Sequence, residues 1–145
     1  MKPYGAILAF TIQRSNDLMR AYRAVISSVP VIRMHEIAQT IVAMPAERFY
    51  VSEERAAIVI SALLAGKGFP RNMRPPKIRM FSEILRRVLE IRHSNPTLPV
   101  SHLVAKVIHT PAPEFYMMPR AALEIIYKVK NGYYNDLIRK SRSVS

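Results

Sequence analysis

PAERFY at residues 45–50 and PAPEFY at residues 111–116 write the same Pro-Ala-x-x-Phe-Tyr string twice, 66 positions apart, in a chain of 145 residues with no tryptophan and no cysteine. At that offset residues 16–66 lie over residues 82–132 without a gap, and ten of the 51 positions are identical, including Arg20/Arg86, Pro30/Pro96, Ala56/Ala122, Ile60/Ile126 and Gly66/Gly132. The apolar pattern coincides as well, at Leu18/Ile84, Val25/Ile91, Ile37/Leu103, Ile41/Val107 and Val59/Ile125. Recurrence of both identity and pattern at one offset reads as an internal duplication.

Each copy predicts three helices. Apolar residues at 18, 19, 22, 25 and 26 follow the i, i+3, i+4, i+7 spacing of a helix with one buried stripe, over 16–28 and again over 80–94. Pro30 and Pro96 stop that helix, because the residue before a proline is pushed out of the helical region. A second helix covers 33–44 and 99–109 and ends at Pro45 or Pro111. The third starts near Ser52, whose hydroxyl can cap the helix and whose neighbours Glu53 and Glu54 suit its positive end. In the second copy Pro119 occupies the first turn, where proline is tolerated. Gly66 and Gly132 close these helices in the left-handed conformation. The expected fold is all-α: two tandem three-helix units joined by a basic, proline-rich linker. The expected divisions are an N-terminal arm (1–15), unit one (16–66), the linker (67–81), unit two (82–132) and a basic tail (133–145).

The repeated Phe-Tyr pair falls just before a third helix. It reads as a buried aromatic plug, the usual fate of such rings. The alternative makes Tyr50 and Tyr116 exposed platforms for stacking bases.

Charge narrows the partners. The formal net charge is +12. The linker KGFPRNMRPPKIRMF carries Lys67, Arg71, Arg74, Lys77 and Arg79 with no acid, interleaved with Phe69 and Met73. An excess of this size on one small chain points to a polyanion, and a proline-restricted basic segment can follow a phosphate backbone at reduced entropic cost. Arg120, Lys128 and Lys130 on the last helix, and Arg139, Lys140 and Arg142 in the tail, extend the candidate set. A helix-turn-helix reading fits loosely, since the connection after the second helix exceeds the usual three or four residues.

Catalytic constellations are missing from the sequence. His35, His93, His102 and His109 show no ligand spacing, Glu53 and Glu54 point apart on a helix, and GKGF lacks the full phosphate-loop pattern. No enzyme, cofactor or metal is expected. The apolar run Tyr4–Ile12 is about half the length a bilayer crossing needs and lacks a cleavage signal, so no membrane partner is expected and the cytoplasm is the default location.

The string PAPEFY followed by PRAALEIIYKVKNG resembles small helical proteins of Bacteroidetes and of their tailed, crAss-like phages. The first copy departs from that pattern at Glu47 and Ser61, where the second has Pro113 and Tyr127. The resemblance implies a helical protein and brings no activity or site residues with it, though it makes a virion location an alternative to the cytoplasm. The reading that results is a non-catalytic nucleic-acid-binding protein. Its rival is a structural or assembly protein, self-associating or docking its basic segments on acidic protein surfaces.

Overall fold

The computed structural model describes residues 3–132, with side chains from residue 10 onward. The described residues form six helices and no strand: α1 (Pro3–Ile26), α2 (Met34–Val42), α3 (Glu53–Leu64), α4 (Pro75–Ser94), α5 (Val100–Ile108) and α6 (Pro119–Lys130). The all-α class follows the expectation. Two boundaries move. Residues 3–15 of the expected arm are the first half of α1, because no proline between Pro3 and Pro30 interrupts the helix. The expected linker is halved, because Pro75 and Pro76 stand at the first two positions of α4, where a missing N–H costs nothing.

Helix ends follow local chemistry. The Ser52 hydroxyl accepts from the Arg55 backbone N–H at 3.1 Å. At the other end of α3, Lys67 N–H donates to the Ala62 carbonyl and Gly66 N–H to the Leu63 carbonyl, each at 3.0 Å, with Gly66 at φ 78°. That is a Schellman ending, which needs a residue free to take positive φ. At the end of α6, Gly132 N–H donates to the Val129 carbonyl at 3.1 Å, with Gly132 at φ 76°.

The 66-residue register reappears in the helices. The bounds of α2 and α5 differ by 66 at both ends, and so do those of α3 and α6. The helices nevertheless do not group copy by copy. One compact unit contains α1, α2 and α6, and the other consists of residues 45–116, with α3, α4 and α5. Each unit therefore takes its first two helices from one half of the sequence and its third from the other half. Two three-helix units are present, as expected, and each draws its helices from both halves of the sequence rather than from 16–66 or 82–132 alone.

In the first unit, Leu18, Ala21, Tyr22 and Val25 of α1 meet Ile37, Ala38 and Ile41 of α2 and Ala122, Ile125 and Ile126 of α6 in the buried core. The ammonium of Lys130 donates to the Tyr22 hydroxyl at 2.7 Å and lies 4.4 Å from its ring centre, joining α6 to α1. Asp17, buried on α1, accepts from Arg20 one turn on, at 3.0 Å from Nε.

The second unit is built around the two repeated strings. They run antiparallel and exchange both backbone hydrogen bonds between Ala46 and Ala112, at 2.9 and 3.0 Å. Alanine at both positions lets the backbones meet without side-chain bulk. The rings that follow interleave across the pair: Phe49 stacks on Tyr116 with centres 5.9 Å apart, and Tyr50 on Phe115 at 6.2 Å. All four rings are buried, at 0 to 5 % exposure, so the plug reading holds and the base-stacking platform does not. Arg87 of α4 reaches across, donating to the Pro111 carbonyl at 2.8 Å with its guanidinium 4.9 Å from the centre of the Phe49 ring. Each occurrence of the string is thus the other's packing partner.

Candidate nucleic-acid interface

The basic candidates separate by unit. Lys67, Arg71, Arg74, Lys77 and Arg79 belong to the unit of residues 45–116, whereas Arg120, Lys128 and Lys130 lie on α6 in the other. Arg139, Lys140 and Arg142 lie outside the described residues. The α6 candidates are unequal: Arg120 is almost fully exposed with Glu124 at 3.9 Å, while Lys130 is held by Tyr22. The loose helix-turn-helix loses its basis, since α2 and α3, like α5 and α6, fall in different compact units.

Around the start of α4 the candidates converge. The connection after α3 turns at Asn72, which takes φ 62°, and delivers Arg74 to the N-cap position of α4. Asparagine is among the few non-glycine residues that reach this region readily. A pocket of about 310 Å³ opens there, rimmed by Arg55, Arg71, Asn72, Arg74 and Lys77. Its apolar lining comes from Val51, Pro70 and Met73, and from Met80 and Phe81, which are almost wholly buried. Arg79, one position removed, is paired with Glu114 at 3.0 Å and does not line it. Lys67, exposed at the end of α3, lies outside the lining too.

Arg55 is the functional candidate that the sequence reading missed. It sits on the acidic start of α3, in a stretch whose charges cancel, and only the packing of α3 beside α4 brings it to this rim. The signal available in the sequence was its place one turn after the Ser52 cap, next to the chain that enters α4.

The electrostatics of the rim run against helix stability. The first turn of α4 has no acidic residue, and its N-cap side chain makes no capping hydrogen bond. Cations at Arg74 and Lys77 instead add to the positive end of the macrodipole, where carboxylates would be favourable. Among the described residues no carboxylate lies within ion-pair distance of Arg55, Arg71 or Arg74. Backbone donors contribute little: prolines fill the first two positions, and the N–H groups of Lys77 and Ile78 both go to the Arg74 carbonyl. An anion here would be held by side chains.

Further along α4 the charges are paired off. Glu83 accepts from Arg86 at 2.8 Å and from Arg87 at 2.7 Å, and its carboxyl is lowered from an ordinary 4.5 to about 2, first by the Arg86 hydrogen bond, against opposing burial, and then by Arg87. A second hollow of about 550 Å³, among Leu63, Phe69, Leu85 and Leu89, is mainly apolar, and its one cation, Arg86, is held by Glu83 and Glu90. His109 Nε2 donates to the Glu53 carboxylate at 2.9 Å, and no group of three metal-ligating side chains converges among the described residues. None of the described helices is long and apolar enough to cross a membrane. Comparison with known proteins matches no family model, no curated protein and no solved structure.

Proposed function

We propose that this chain is a non-catalytic nucleic-acid-binding protein whose contact surface is the rim formed by Arg55, Arg71, Arg74 and Lys77 at the start of α4. The observation that carries this reading is the convergence of those four cations on one pocket at the positive end of a helix, with no carboxylate neutralising the three arginines. Such an arrangement costs folding stability and is compensated when phosphates arrive.

The shared bounds of α2 with α5 and α3 with α6 support reading the two halves as duplicated copies, of which one has acquired the site. The positions 66 residues before Arg71, Arg74 and Lys77 are Gly5, Leu8 and Thr11, and the position 66 residues after Arg55 is Ala121. One binding site per chain follows.

Anisotropy of labelled oligonucleotides, titrated at several salt concentrations, tests the reading. Log K falls linearly with log salt, and replacing all four rim cations by alanine abolishes most of the binding while the thermal transition stays in place. Binding that vanishes at about 0.15 M salt, where the screening length is roughly 8 Å, together with capture of an acidic protein that survives it, would instead establish the assembly role.

A further inference from the structure

We infer that the pocket at the start of α4 accepts one unstacked nucleotide of a single strand, base inward, with flanking phosphates on the basic rim. This rests on the nucleic-acid reading above and narrows it to single-stranded over double-stranded substrate. Phosphate contact alone asks only for exposed cations on a convex or flat surface. Here the cations surround a concavity with an apolar lining: Met80, Phe81 and Val51, buried in the core, back it, and the half-buried Met73 has surface left for a base to contact. At about 310 Å³ it lies at the small end of the range that takes organic ligands, a size suited to one planar base with its sugar.

The chemistry of the lining matches that occupant. A base removed from its stack needs an apolar surface for its faces and hydrogen-bonding groups for its edge. Methionine supplies the first through a polarisable thioether that packs favourably on aromatic rings. Asn72 on the rim supplies the second, since its amide carries both donors and an acceptor. A duplex offers only phosphates to this rim, because its bases are stacked and paired, and the apolar lining would stay uncovered. A strand with free bases satisfies lining and rim together. The stacking function that the sequence suggested for Tyr50 and Tyr116 is thus moved to a different place.

The test uses the full chain and four labelled probes at about 0.1 M salt: a single-stranded DNA oligomer, its duplex, an oligomer of abasic sites with the same length and charge, and a mononucleotide. The expected order places the base-bearing single strand first, with the abasic oligomer weaker by about 5- to 150-fold, the loss that goes with one stacked base. Met73→Ala weakens the base-bearing strand and leaves the abasic one unchanged. Four rim contacts to a single strand give a log–log salt slope of about −3. Equal binding of abasic and base-bearing strands, or a duplex that binds more tightly than either, overturns base insertion and leaves the phosphate-contact reading in place. A mononucleotide as tight as the oligomer overturns the commitment to a strand. No binding by any probe overturns the nucleic-acid reading itself.

Discussion

Phe49 shows how much one side chain can hold in this molecule. Its ring is completely buried, stacked on Tyr116 and covered by the Arg87 guanidinium, so its removal leaves a cavity and also uncovers a cation that serves three partners. Phe49→Ala is expected to cost about 3–5 kcal/mol in urea unfolding, the range for a large aromatic deleted from a core. Phe49→Leu should cost distinctly less. Glu83 acts on the same arginine from the other side, and its effect depends on pH. Its folded carboxyl titrates near 2 and its unfolded one near 4.5, so the unfolded chain takes up the proton first as pH falls. The stability that Glu83 contributes is present above about pH 4.5 and is lost progressively toward pH 2. Unfolding midpoints measured between pH 6 and 2 should therefore fall less steeply in Glu83→Gln than in the parent, and added salt should reduce the difference, because Arg86 is more than half exposed.

Among the elements, α4 sets the proposed binding site against stability. Its N-cap residue, Arg74, has extended backbone angles (φ −73°, ψ 151°) that suit a capping side chain but no group able to accept a hydrogen bond. Arg74→Asp supplies that acceptor and a negative charge at the positive helix end, and should raise stability by about 0.5–2 kcal/mol. The same change should weaken oligonucleotide binding and flatten its salt dependence by about one phosphate contact. A loss of both stability and binding would show Arg74 to be structural. Helices were the legible part of this protein: proline stops, the Ser52 cap and the two closing glycines are local signals, and they placed most helix ends within a residue or two. The start of α4 was less so, because paired prolines read as linker until the chain is seen to turn helical at them. The place of Arg55 at the pocket was illegible for a different reason, since it depends on which helix lies beside α3.

For the whole molecule, the decisive fact is that α6 groups with α1 and α2, and α3 with α4 and α5, which periodicity cannot encode: an amphipathic stripe declares that a helix must be covered and not by which other helix. The repeated strings did carry a trace of it. An alanine followed by paired aromatics makes little sense as a simple connector and good sense as two segments built to lie against each other, as Ala46 and Ala112 do. The consequence is testable by cutting the chain between Gly66 and Lys67. In a tandem arrangement each fragment would hold a complete three-helix core and unfold cooperatively alone. With this grouping, residues 1–66 retain α1 and α2 but lose the α6 face that covers Tyr22, Ile37 and Ile41, and residues 67–145 retain α4 and α5 but lose α3, with Val59 and Ile60. Stacks between the strings are cut as well, because Phe49 and Tyr50 leave with one fragment and Phe115 and Tyr116 with the other. At micromolar concentration each fragment alone should show weak helical circular dichroism and no cooperative thermal transition. An equimolar mixture should recover the helical signal of the intact chain, with a midpoint that rises with concentration as expected for two chains that fold by associating. A cooperative, concentration-independent transition in either isolated fragment would mean that α3 or α6 can cover the helices of its own half, and this grouping would then be one of two accessible pairings of the same sequence.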